Sequence, residues 1–141
     1  MEMNIKSIIC TPLKRIKVDG GDVLRILRSD DLSFNEFNEA YFSIIEPGKI
    51  KAWKRHLRMT MNLVVPYGMV EFVFFDNNNF LKREIIGEKR YSRLTVPPMI
   101  WFGFKCISKK ESLILNISDT LHSPDEVERK ELSCYDFETV K

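Results

Sequence analysis

Histidine, cysteine and glycine are all scarce in this 141-residue sequence, and each scarcity excludes something. Two histidines and three cysteines, with no CxxC spacing, do not supply the ligand pairs of a zinc module. An odd cysteine count gives no disulfide framework and suits a reducing cytoplasm. Six glycines, none in a GxGxxG or GxxxxGK[ST] array, leave no phosphate-cradling loop. Ser-His-Asp and Cys-His spacings are absent as well. Charge of one sign is also missing: 22 Lys and Arg against 20 Asp and Glu leave a formal net charge of +2. The basic residues are scattered apart from short clusters such as Lys51, Lys54 and Arg55, so no nucleic-acid partner is expected. The first ten residues, MEMNIKSIIC, have no signal-type apolar core. The longest uncharged stretch, Met59 to Val70, is too short for a membrane span and contains Pro66 and Gly68, so no membrane partner is expected either.

What is present fits one folded domain: 44% hydrophobic and 30% charged residues, without repeats or low-complexity tracts. Short apolar runs rich in β-branched and aromatic residues alternate with turn formers. Strands are expected at Ile5 to Ile9, Val23 to Leu27, Ala40 to Ile45, Ile50 to Leu57, Met61 to Val65, Met69 to Phe75, Lys82 to Ile86, Arg93 to Val96, Trp101 to Cys106 and Ser112 to Ile117. Turns fall at Gly20 to Asp22, Glu46 to Gly48, Pro66 to Gly68 and Asp76 to Asn79. Close spacing of so many strands favours a barrel or sandwich over a βαβ fold. The helix candidate is Ser123 to Glu131, with Ser123 as N-cap, Pro124 next and acidic residues in the first turn. The expected layout is one domain over 1–141, with N-terminal strands in 1–40, a core barrel in 48–118 and a tail in 119–141.

The chemistry concentrates in Ile50 to Arg58. In an extended strand one face carries Ile50, Ala52, Lys54, His56 and Arg58, and the other Lys51, Trp53, Arg55 and Leu57. Three cationic or titratable groups on one face suit a wet barrel mouth that binds an anion such as a diphosphate. A solvated edge strand guarded by charge would look the same. The second histidine, His122, lies in the segment from Ser118 to Pro124. Phe72, Phe74, Trp101, Phe102 and Phe104 could fill the mouth, while Trp101 or Tyr67 could stack on a base or sugar.

Four segments, taken in order, carry a family resemblance: Gly48-x-Ile50-Lys51-Ala52-Trp53; Asn62-Leu63-Val64-Val65-x-x-Gly68-x-Val70; Val96-Pro97-Pro98-x-x-Trp101-x-Gly103-Phe104; and Asp119 to Pro124. Together they resemble the dTDP-4-dehydrorhamnose 3,5-epimerase family, and the related 3,4-ketoisomerases share much of the outline. The resemblance implies an all-β double-stranded β-helix (a jelly roll, the RmlC-like cupin), a homodimer, a nucleotide-sugar ligand and a place in surface polysaccharide synthesis. In that family a His base removes the proton next to a ketone, a Tyr acid returns one, and Lys and Arg side chains hold the enolate and the diphosphate. No metal and no cofactor are expected here.

The sequence departs from the family at these points. Lys54 stands where the family has its base His, with His56 two residues on. His122 stands at the Tyr position, Phe102 at a frequent His and Asn62 at a Lys. No Asp within Leu132 to Tyr135 matches the one that orients the base. The expected catalytic set is therefore Lys54, His56 and His122, with Lys51, Arg55, Arg58, Asn62, Trp101 and Asp119 contacting substrate. The expected activity is metal-free proton transfer beside the ketone of a 4-keto-6-deoxy nucleotide sugar. The alternative is a cupin that binds a nucleotide sugar or another anion without turnover.

Overall fold

A computed structural model of the chain describes residues 4–137. Twelve strands form among them: β1 (Ile9–Pro12), β2 (Arg15–Ile16), β3 (Val23–Leu24), β4 (Glu39–Ile45), β5 (Ile50–His56), β6 (Met61–Tyr67), β7 (Met69–Phe75), β8 (Leu81–Gly87), β9 (Ser92–Val96), β10 (Trp101–Cys106), β11 (Ser112–Ser118) and β12 (Val127–Arg129). One five-stranded sheet has the order β1-β9-β6-β11-β4 and the other β12-β5-β10-β7-β8, while β2 and β3 form a separate ribbon. Every described pairing is antiparallel. From β4 to β12 the chain crosses between the two five-stranded sheets at every step except the β7–β8 hairpin, which gives the expected all-β jelly roll. The sheets also take in β1, β4 and β12, outside the 48–118 stretch expected to hold the barrel.

Alternation decides which side chains are inside. Ile45, Met61, Leu63, Val65, Val70, Phe72, Phe74, Leu94, Val96, Phe102 and Ile114 form the core between the sheets, with Phe104 packed against it. A second cluster lies on the outer face of the β5 sheet. There Trp53, Val73, Phe75 and Trp101 are covered by Phe137 and Tyr135 of the tail. Trp53 Nε1 donates to the carbonyls of Leu132 and Tyr135 at 3.1 and 3.2 Å. The tail is thus both hydrogen-bonded and packed onto the sheet.

Three expectations need correction. Ile5 to Ser7 is a 3₁₀ turn, closed by Asn4 accepting from the Lys6 amide, and the strand begins only at Ile9. Pro66 does not end β6: it sits where the β6–β11 register shifts, a place where a missing ladder donor is tolerated. Gly68 alone, at φ +90, separates β6 from β7, and a Cβ there would collide with Ser112. Ser123 to Glu131 is not a helix. Pro124–Glu126 makes one 3₁₀ turn, Ser123 bonds Asp125 instead of capping, and Val127–Arg129 pairs with His56, Arg55 and Lys54 as β12. The open edge of β5 offers ladder bonds to three residues, and Glu126 has a partner inside the barrel; an exposed helix here would forgo both.

Candidate active site

β5 enters the barrel from the turn at 46–49, and its inner face presents Lys54 and then His56. His56 is 3% exposed and lies near Phe102 of β10, ring centroids 6.0 Å apart and nearly parallel. Its backbone carbonyl accepts from the Met99 amide at 2.7 Å, which fixes the end of the strand. Nδ1 lies 2.7 Å from Oε1 of Glu126, a carboxylate that is itself fully buried. Oε2 of Glu126 accepts from the amides of Arg58 and Met59 at 2.8 and 2.9 Å. Burial pushes the Glu126 carboxyl upward, but the Arg58 amide, His56 and the Met59 amide outweigh it, so its pKa falls below the ordinary value. An ionised carboxylate only accepts, so Nδ1 carries the ring proton and Nε2 presents its lone pair.

Nε2 is buried and has no hydrogen-bond partner. A buried polar atom left unpaired calls for an explanation, and here it faces the barrel interior. Burial holds the His56 pKa below the ordinary imidazole value, against the opposing pull of Glu126, with Lys54 and His122 adding unfavourable charge. Lys54 is also depressed, first by burial and then by the charge of Arg129. Its ammonium makes no hydrogen bond or ion pair among the described residues. A cavity of about 490 Å³ opens between β4, β5 and the tail, and Ser43, Lys54, Phe102, Phe104, Arg129 and Lys130 line it. It reaches the immediate neighbours of His56.

The other expected site residues scatter. His122 is exposed, with its amide bonded to Glu39 Oε1 at 2.8 Å. Lys51 is exposed and bonds the Ile44 carbonyl at 3.0 Å. Arg58 lies beyond β5, its guanidinium 4.0 Å from Asp125. Arg55 and Trp101 sit on the opposite face of the sheet from His56. Arg55 bonds Glu128 and Asn77, and both Arg55 and Lys130 lie over the Trp101 ring. Asn62 points away from the core, where it accepts from Arg93 and Thr95 at 3.2 and 2.6 Å. That network ties the outer face of the β6 sheet to the 26–33 segment, because Arg93 also bonds the Ile26 carbonyl and Ser33. Asp119 holds the Thr60 amide at 2.8 Å. Ile50 and Ala52, expected on the His56 face, pack with the Trp53 cluster, because the β5–β10 register shifts at Phe102 and Gly103. Glu126 is the residue that sequence reasoning missed. The family's orienting Asp has no counterpart in 132–135, and Glu126 falls in the acidic first turn of the expected helix, where a carboxylate needs no partner inside a barrel. No cluster of three or more His, Cys, Asp or Glu side chains placed to hold a metal occurs among the described residues.

Comparison with known proteins identifies the family. No family model matches the chain. The dTDP sugar isomerase from Desulfovibrio desulfuricans G20 is 34% identical, with 89% of this chain and 85% of that one covered and a TM-score of 0.86. The probable low-salt glycan biosynthesis epimerase of Haloferax volcanii is 30% identical over 117 residues, 75% of each chain. The chain belongs to this family of dTDP-sugar isomerases and glycan-biosynthesis epimerases. The dTDP-4-dehydrorhamnose 3,5-epimerase from Sulfolobus tokodaii shares the fold at 18% identity, with a TM-score of 0.82 over 98% of this chain and 85% of that one. In this chain His56 and Glu126 form a buried, hydrogen-bonded imidazole–carboxylate pair on the inner face of the barrel.

Proposed function

We propose that this protein is a sugar-nucleotide epimerase or isomerase that moves a proton beside the ketone of a 4-keto-6-deoxy nucleotide sugar. One observation carries the reading: His56 Nε2 is buried, unpartnered and neutral, while Glu126 fixes the ring from behind. Such a group is a general base. Lys54, unpaired and half-buried beside it, is the cation that steadies the enolate oxygen. Lys54 lines the cavity, and His56 follows it on the same inner face of β5. Lys51, Arg129 and Lys130 line the cavity and offer charge to a diphosphate. No step in this scheme needs a cofactor or metal.

Support for the setting is of three kinds. The Haloferax relative is named for glycan biosynthesis, which supports a role for this chain in polysaccharide assembly. Cys10, Cys106 and Cys134 are all free, which suits the cytoplasm, and no described helix is long and apolar enough to cross a membrane. Phe42 and Ile44 expose a strip on the outer face of β4 that suits a homodimer.

The test is proton exchange. In D₂O, dTDP-4-keto-6-deoxyglucose and its UDP and GDP counterparts are incubated with the protein and followed by NMR. Deuterium is expected beside the ketone with the wild type and not with His56→Gln. Absence of exchange with the whole panel would sink the enzymatic reading in favour of a binding protein.

A further inference from the structure

A second cavity, of about 350 Å³, is lined by neither Lys54 nor His56 and gathers Arg55 and Trp101 from the outer face of the β5 sheet. Its size falls in the range of small-molecule sites. Most of its walls are held in place by bonds of their own. Arg55 donates from Nε to Glu128 Oε1 at 2.9 Å and from Nη1 to Asn77 Oδ1 at 3.2 Å, with its guanidinium 4.8 Å from the centre of the Trp101 ring. Lys130 Nζ donates to the Tyr135 hydroxyl at 3.2 Å and lies 4.7 Å over the same Trp101 ring. The turn at 76–79 closes another side. Asp76, buried there, accepts from the amides of Ile5, Asn78 and Phe80, which uses its carboxylate within the fold and leaves Asn77 and Asn79 at the cavity.

Charge in this cavity is left over. Arg55 and Glu128 pair with each other, and Asp76 is satisfied by backbone amides. Arg129 makes no hydrogen bond or ion pair among the described residues, and Lys130 meets only a neutral hydroxyl and two aromatic rings. Two cations without a carboxylate of their own suit an anionic group. A bare anion would fill only a small part of the space. The remaining lining is the side-chain amides of Asn77 and Asn79, the second carboxylate oxygen of Glu128 and the Tyr135 ring. Amides donate and accept, and a carboxylate accepts, so these groups match hydroxyls. One negative charge on a ring-sized body carrying hydroxyls is the chemistry of an anionic sugar.

Arg129 and Lys130 also line the cavity that holds Lys54, so the two cavities share one cationic wall. The strand register explains the sharing. Arg129 pairs with Lys54 and Glu128 with Arg55, so successive residues of β12 serve opposite faces of the sheet edge. We propose that the outer cavity binds an anionic sugar, one bearing a phosphate or a carboxylate, and that its occupation draws Arg129 and Lys130 away from the inner cavity. The coupling rests on the sugar-nucleotide reading above, in which the same cations meet a diphosphate; the outer site itself does not. Coupling is reciprocal, so each ligand weakens the other.

Titration calorimetry of the full chain tests this without turnover, with glucose 1-phosphate, glucuronate, glucose and inorganic phosphate as probes. Saturable binding of glucose 1-phosphate or glucuronate is expected at millimolar concentration, at least about 10-fold tighter than glucose or inorganic phosphate, and the tighter of the two acids identifies the anion. Asn77→Trp fills the outer cavity from its rim and is expected to weaken that binding at least about 10-fold; Asn77→Asp, which adds a repelling charge, serves if the larger residue misfolds. Lys54→Met, changed in the inner cavity, is expected to bind the acid sugar within about 3-fold of the wild type. A saturating acid sugar should raise the dTDP dissociation constant about 3- to 10-fold in the wild type and leave it unmoved in Asn77→Trp. No acid-sugar binding at millimolar concentration would overturn the site, as would equal binding of inorganic phosphate or glucose. So would unchanged binding in a folded Asn77 variant, or loss of binding in Lys54→Met. Independent binding of the acid sugar and dTDP would overturn the coupling. A protein that binds the acid sugar but neither dTDP nor a dTDP-sugar keeps the outer site and overturns the proposed function instead.

Discussion

Nδ1 of His56 and Oε1 of Glu126 lie 2.7 Å apart with both side chains shielded from water. Charge attraction would raise the imidazole pKa, but burial outweighs it and lowers it. The neutral, proton-accepting form therefore predominates at pH 7. Activity measured as kcat/KM is expected to stay level through neutral pH and to fall on the acid side, with a midpoint below the ordinary imidazole value of about 6.5. Stability follows the same sign: the unfolded chain takes up the proton more readily, so His56 makes folding less favourable as pH falls from 6.5 towards its lowered pKa. A pH–rate profile and urea unfolding across the same range check both. An acid limb centred above 6.5 contradicts the assignment.

Glu126 accepts from three donors, and Gln in its place keeps the shape while removing the charge. A single amide oxygen cannot serve the Arg58 and Met59 amides and His56 together. Glu126→Gln is expected to lower kcat by about 10²- to 10⁴-fold with little change in KM, since the ring loses its orientation and not its contact with substrate. One buried donor left unpaired costs about 1–3 kcal/mol. Steady-state kinetics and denaturant melts report the two effects separately.

Lys54→Met keeps the stem and deletes the ammonium. The enolate then forms without a cation nearby, and kcat is expected to drop by about 10²- to 10³-fold. The wild-type enzyme is expected to lose activity on the alkaline side at a pH below the ordinary lysine value of about 10.4, because burial and Arg129 both lower the Lys54 pKa. In Lys54→Met that limb should vanish. Its persistence would assign it to another group.

Local pattern made most of the strands legible in the sequence. Trp101–Cys106 and Met69–Phe75 match expectation end to end, because alternating aromatic and β-branched residues bounded by turn formers specify a half-buried strand. Lys54 and His56 sharing an inward face was legible for the same reason. Glu126 was not, because its role depends on a contact made 70 residues away in sequence. Nor were the outward positions of Asn62 and Trp101. In a two-sheet barrel both faces of a strand can be buried, so apolar or polar character alone does not say which face meets the cavity. Residues 1–3 and 138–141 of the expected N-terminal and tail segments lie outside the described residues.

Trp53 joins the tail to the barrel through two hydrogen bonds and edge-on contacts with Phe75 and Tyr135. Trp53→Ala is expected to destabilise the fold by about 3–5 kcal/mol. Trp53→Phe keeps most of the packing but strands the Leu132 and Tyr135 carbonyls. Its effect should be local, with faster amide exchange at Trp53 and Lys130, which bond each other across β5 and the tail, and a nearly unchanged melting temperature for the core. Uniformly faster exchange throughout the barrel would show that the tail is not a separable unit.

The outer face of β4 presents Phe42 at 62% and Ile44 at 53% exposure, and their β11 neighbours Leu115 and Leu113 extend the strip. Single exposed apolar residues need no explanation, but a row of four across two paired strands does. The inward-facing residues of the same strand, Tyr41 and the cavity-lining Ser43, point the other way, so changes on this face leave the cavity lining intact. If a second copy covers the strip, Phe42→Asp combined with Ile44→Asp places unpaired carboxylates in the interface, where each costs several kcal/mol. The wild type should then run as a dimer in light scattering and the double variant as a monomer, with the dissociation constant raised at least about 100-fold and the fold retained by circular dichroism. A wild type that is monomeric at high micromolar concentration, or a double variant that remains dimeric, removes this face from the assembly.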